Sequence, residues 1–145
     1  MRILVSACLL GLPTRYDGQS RPCEAVLRLA EQHTLIPVCP EQLGGLPTPR
    51  PPAERQRDGR VLTRDGRDVT AAYLSGAESA LRVAYLARCE AAILKAKSPA
   101  CGRGFIYDGS FTGQLVRGDG VLAARCLAEG LRVLDEHEVS QSGLP

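Results

Sequence analysis

The sequence predicts a three-layer α/β/α domain around a mostly parallel sheet, and three observations carry that prediction. Apolar runs of strand length alternate along the chain with segments of helical period. The runs are continuous rather than alternating, as in strands buried on both faces. Strand, helix and strand follow one another as crossover units, which build the doubly wound sheets of Rossmann and flavodoxin type. The 145 residues suit one domain with a core of its own, expected to span residues 1–139 with a polar tail at 140–145.

The first run, Arg2 to Ala7 (RILVSA), stops at Cys8 and Gly11 and reads as a buried strand. EAVLRLAEQH follows Pro22 as a helix with Val26, Leu29 and Ala30 on one face, since proline is tolerated in a first turn. TLIPVC is the second strand. The stretch LIPVCPEQLGGLPTPRPPAE, which begins inside it, holds six of the ten prolines, so neither helix nor central strand continues through it. Gly59 to Val69 reads as a small peripheral hairpin around Asp65-Gly66, a dipeptide that supplies the positive φ of a tight turn. Thr70 is expected to cap a helix to about Arg88, with Leu74, Ala77, Leu81, Ala84 and Tyr85 turned inward. AAILKA is the third strand and ends at SPACG. A hairpin in FIYDGSFTG, a helix from Gly118 to Glu129 closed by Gly130, and a last strand LRVLDE complete the alternation, and the polar tail from Val139 is expected to fray.

Composition excludes several classes of function. With 44% hydrophobic and 23% charged residues, and no apolar run of spanning length, the chain is not expected to enter a membrane. A net charge of +2 does not by itself imply nucleic acid. Arg50, Arg55, Arg57, Arg60, Arg64 and Arg67 crowd one segment, but Glu54, Asp58, Asp65 and Asp68 lie among them, which reads as a solvated loop. The apolar stretch before Cys8, Ile3 to Val5, is far shorter than the roughly 7–15 residues of a secretory signal. A cytoplasmic chain with thiols or a metal site, rather than disulfides, is therefore expected of its six cysteines.

Three of those cysteines share an address. Cys8, Cys39 and Cys101 each follow a predicted parallel strand, and the carboxyl ends of parallel strands meet at one edge of the sheet, where a common crevice forms. Cys89 and Cys126 fall on inward helix faces and read as small core residues. Cys23 sits in a first helical turn, where the dipole favours a thiolate, but has no evident partner. A disulfide among the converging trio would strand one member, and structural zinc would have only His33 and His137 to complete it. Three-thiolate zinc, a redox-active thiol pair and a 4Fe-4S cluster with one open iron stay possible, and the cluster suits three thiolates well.

VSACLLG, RYDG, IPVCPEQLGGLPTPRPPAE, DVT, AILKAKSPACG, IYDGSFTG and GDGV closely resemble a bacterial family of long-unassigned function that includes the thiouracil desulfidases. The resemblance covers Met1 to about Val139. It implies that Cys8, Cys39 and Cys101 hold a 4Fe-4S cluster, that Glu41 and Ser98 are the active-site acid and serine, and that a thiolated uracil is converted to uracil and hydrogen sulfide without net redox change. The partner implied is a small thio-nucleobase or nucleoside, with no stable nucleic-acid complex and no membrane. A non-enzymatic sulfide carrier or sensor would use the same cluster. Lys97 is a candidate to offset cluster charge, and Gly44, Gly45, Gly102 and Gly104 are candidates to bring backbone amides close to sulfide or substrate.

Overall fold

The computed structural model describes residues 1–144. Its centre is a four-stranded parallel sheet in the order β2-β1-β5-β8, made of β1 (Arg2–Ser6), β2 (Thr34–Val38), β5 (Ala91–Leu94) and β8 (Arg132–Asp135). β1 pairs on both sides, Leu4 standing against Ile36 and Ala92. Pro37 is accommodated because β2 is an edge strand, where a missing N–H need not break a ladder. For the same reason β2 is only half-buried, not the fully buried strand its apolar start suggests.

Side chains of the central strands alternate between two apolar layers. Ile3, Val5, Ile93 and Leu134 pack with Val26 and Leu29 on one face, while Leu4, Ala92, Leu94 and Val133 meet two helices on the other. Those helices are α3 (Thr70–Leu86) and α4 (Val121–Ala128). The first predicted helix is shorter than expected: α1 covers Glu24–Leu27 and tightens into a 3-10 turn at Arg28–Glu31. The tighter winding rotates Ala30 out to solvent while Val26 and Leu29 stay buried.

α3 is turned differently from its predicted stripe. Tyr73, Gly76, Ala77, Ala80 and Ala84 are buried, whereas Leu74 is 53% and Tyr85 75% exposed. The reason is close packing against the short helix α2 (Pro40–Leu43). A Cβ on Gly76 would lie 1.8 Å from the Pro40 carbonyl oxygen, and one on Gly44 would lie 2.1 Å from that of Ala72. Gly44 therefore serves a helix crossing, not a ligand. Thr70 does not cap α3 with its side chain; its hydroxyl instead accepts the Val61 N–H at 2.9 Å.

Two small hairpins sit beside the sheet. β3 (Ala53–Arg55) pairs with β4 (Val61–Thr63) across a turn at Asp58-Gly59, and β6 (Phe105–Tyr107) pairs with β7 (Leu115–Arg117). Asp65-Gly66 makes a second return that bridges Leu62 to Asp68, so the predicted turn exists but is not the main one. Nor is the first hairpin peripheral, since Val61 is fully buried in the larger core cluster. At the other end Val139 begins a 3-10 turn and is buried beside Ile3 and Val26, so the chain does not fray there. Among the described residues no helix is long and apolar enough to cross a membrane.

Alanine at position 76 gains about 1 kcal/mol of helix propensity over glycine, but it meets backbone that cannot step aside. Gly76→Ala is expected to destabilise the fold by about 1–3 kcal/mol, seen as a lower urea midpoint than wild type.

Candidate functional site

The three strand-end cysteines line one cavity of about 450 Å³ at the carboxyl edge of the sheet. It lies at the switch point of the strand order, where β1 leads to β2 on one side and the chain later returns to β5 on the other. Cys8 is carried by a 3-10 turn (Ala7–Leu10) directly after β1, Cys39 is the residue before α2, and Cys101 lies in the loop after β5. All six cysteines are free thiols. Cys23, Cys89, Cys126, His33 and His137 do not line the cavity; Cys126 is wholly buried in the core, and Cys89 is half-buried against it.

Local structure fixes the Cys101 loop tightly. Ser98 Oγ accepts the N–H groups of Ala100 and Cys101, each at 3.0 Å, closing a hydroxyl-capped turn. The first N–H groups of α4 donate to the carbonyls of Pro99 and Ala100, and a Cβ on Gly120 would lie 2.4 Å from the Ala100 backbone. Gly102 is excluded from carrying a side chain by the Ser98 carbonyl and Ile106. Its small size thus serves loop packing, as does that of Gly44.

Burial dominates the electrostatics. It pushes the Cys8 thiol up to about 11, against the opposing charges of Lys95 and Arg15. Burial also raises Cys39, which Arg50 partly offsets, and raises Cys101 further, where the neighbouring Glu41 adds to the effect. Glu41 itself is driven above the usual carboxylate range by burial, although Arg50 pulls the other way.

Arg50 is the residue the sequence least suggests. Read from sequence as part of a solvated loop, it is 9% exposed, and its Nη2 donates to Glu41 Oε2 at 2.9 Å and to the Thr14 carbonyl at 2.9 Å. The same nitrogen lies 3.9 Å from Cys39 Sγ. A basic residue held between Pro49 and Pro51, nine positions beyond an acid, is the only signal of this role in the sequence. Arg57, Arg60, Arg64 and Arg67 are exposed, as expected. Lys95, also unforeseen, lines the cavity and pairs through Nζ with Glu136 Oε2 at 2.6 Å, while Lys97 is exposed at its mouth.

Among the described residues no three Cys, His, Asp or Glu side chains converge closely enough to grip a single metal ion. A zinc ion would need its ligand atoms about 2.0–2.3 Å from one point. The three thiols line one shared cavity, and a cluster in which each iron takes one thiolate would draw on them one by one. The donor set fits as well: three soft sulfurs stand near the cations Arg15, Arg50 and Lys95.

A doubly wound α/β domain with three thiols and a half-buried acid at its switch point defines the class of protein. The comparisons narrow it: the sequence matches the 2-thiouracil desulfurase family over residues 3–138, and the chain belongs to that family. It is 40% identical over 147 aligned positions to the uncharacterized protein YbbK of Bacillus subtilis (strain 168), covering 95% of this chain and 97% of that one. The solved structure of the 4Fe-4S-dependent thiouracil desulfidase TudS (DUF523Vcz) superposes with a TM-score of 0.89 at 44% identity, over 97% of this chain and 93% of that one.

Arg50→Met should leave the half-buried Glu41 carboxyl without its cation and lower stability by about 1–3 kcal/mol, measured by urea denaturation at neutral pH. A second outcome concerns acid. Burial raises the Glu136 carboxyl, but the Lys95 ammonium and the Ala96 N–H outweigh it and hold the group below its ordinary range. A depressed folded value stabilises the protein above the unfolded value of about 4.3, and this is lost as pH falls through the folded value. Urea midpoints of wild type and Glu136→Gln should therefore converge as pH drops below about 4.

Proposed function

We propose that this protein is a 4Fe-4S-dependent desulfidase that removes sulfur from a thiolated uracil or a related thio-nucleobase or nucleoside. Cys8, Cys39 and Cys101 are the cluster ligands, and residues 1–139 form the unit that carries the activity, in the cytoplasm. The observation that carries this reading is the meeting of three thiols, two buried and one half-buried, from three separate strand-end loops around one cavity. The likeness to a protein named as such a desulfidase supports it.

When bound, such a cluster supplies a Lewis-acidic iron able to hold a thiocarbonyl sulfur and draw electron density from the adjacent carbon. The chain's own residues supply positioning and proton transfer. Arg50 engages Glu41 through Oε2, which leaves Oε1 outside that ion pair. Glu41 can therefore take a proton from an attacking water at Oε1, and its burial raises its proton affinity toward the working range of a general base. Water oxygen becomes the carbonyl oxygen, the sulfur leaves as hydrogen sulfide, and no electrons are exchanged. Ser98 uses its oxygen lone pairs to hold the Cys101 loop, which leaves its hydroxyl hydrogen to orient the water or a ring atom. Tyr73, buried with its ring on the cavity, closes the floor against bulk water.

Reconstitution under argon should give a protein that binds iron and releases sulfide from 2-thiouracil over many turnovers. Iron near zero, or release that stops at one equivalent, would overturn the proposal. Cys8→Ala, Cys39→Ala and Cys101→Ala should each lose the cluster absorption. Glu41→Gln should keep it while sulfide release falls by about 10²–10⁴-fold.

A further inference from the structure

The chain is poor in aromatic residues, with four tyrosines, two phenylalanines and no tryptophan. Four of those six rings, Tyr16, Tyr73, Tyr107 and Phe111, line the one cavity that holds the thiols. Tyr73 is also part of the core, but Tyr16, Tyr107 and Phe111 are not, so their gathering here points to a flat, unsaturated ligand. Phe111 stands apart within the group. Its backbone sits at φ 59, a left-handed conformation that a non-glycine residue keeps only when its surroundings impose it.

The surroundings do impose it. Glu54 from β3 is buried, and its Oε1 accepts the N–H groups of Gly109 at 3.0 Å and Phe111 at 3.1 Å. Gln56 Nε2 donates to the Gly109 carbonyl at 3.2 Å, tying the same two hairpins together. Arg64, just past β4, brings its guanidinium to 5.5 Å from the centre of the Phe111 ring and also lines the cavity. A buried acid thus spends its hydrogen bonds on holding one aromatic residue in a strained pose at the rim of the thiol cavity.

We infer that Phe111, backed by Arg64 and clamped by Glu54, is the stacking wall that selects a planar heteroaromatic ring at the mouth of the thiol cavity. This inference rests on the desulfidase reading for the identity of the ring, a thiolated pyrimidine. Phe111 contacts the ring face and contributes binding; Glu54 is a positioning residue that acts through the Phe111 backbone. Stacking holds the ring before and during the reaction alike, so removing it weakens binding without slowing the chemical step.

The test compares wild type, Phe111→Leu and Phe111→Trp after anaerobic reconstitution. Isothermal titration with uracil reports ring binding without turnover, and steady-state sulfide release from 2-thiouracil separates KM from kcat. Phe111→Leu should weaken uracil binding and raise KM by about tenfold or more, with kcat, iron content, cluster absorption and urea midpoint close to wild type. Phe111→Trp, which keeps a flat face, should restore binding. A Leu variant that binds uracil as wild type does, or one in which only kcat falls, overturns the inference. A wild type that binds uracil yet releases no sulfide sinks the desulfidase reading, while the binding arm still decides the role of Phe111. A wild type that binds no uracil overturns the stacking wall.

Discussion

Parallel pairing around β1 is the constraint on which the rest of the molecule depends. β1 is hydrogen-bonded along both edges and covered by an apolar layer on each face, so the strand ends by leaving the sheet at its carboxyl edge. β2 and β5 run the same way and must leave at the same edge. Three chain exits with unpaired backbone groups therefore gather in one place. Each exit is finished by a local device: a 3-10 turn at Ala7–Leu10, a proline-led helix at Pro40–Leu43, and a serine-capped turn at Ser98. Each device contains or directly follows a cysteine, and the shared edge turns three ordinary thiols into one site.

Burial at that edge creates an electrostatic problem that nearby cations answer. A carboxylate and three potential thiolates would repel one another in a space largely removed from water. Arg50 is suited to the task because a guanidinium can donate in several directions from one plane, and it joins Glu41, Thr14 and Thr48 while reaching toward Cys39. The prolines on either side limit the freedom of the loop that carries it, so little entropy is lost in holding the pose. Lys95 plays a similar part beside Cys8 and is itself anchored by Glu136. The stiff loop after Cys39 is thus a support for a buried ion pair as well as a wall of the cavity.

The two hairpins complete the site from outside the sheet. They are short, with three-residue strands, and would not be stable alone. Val61 plugs one into the core and Ile106 is buried under the other. The β6–β7 turn reaches the cavity at Phe111 and Gly113 and is tied to the other hairpin through Glu54 and Gln56. Rigid strands thus place the thiols, and tethered hairpins shape the space in front of them.

The sequence by itself determined the sheet, its parallel sense and the common address of Cys8, Cys39 and Cys101, because continuous apolar runs and strand-end punctuation are local signals. The motif resemblance added Glu41 and Ser98, both of which line the cavity. The rotation of α3 was not legible: periodicity shows that a helix has an apolar side, but Gly76 and Ala80 face inward because another helix approaches closely, and only the packed neighbour selects small residues over Leu74 and Tyr85. Nor was β3, whose strand character comes from pairing with β4 rather than from its own residues. Arg50 and Glu54 look like solvent-facing charges in a charged, proline-rich segment. Tertiary structure alone decided that they are buried, since a charge is stable inside only where distant parts of the chain bring it a partner: Glu41 and the Thr14 carbonyl for Arg50, the Gly109 and Phe111 amides for Glu54.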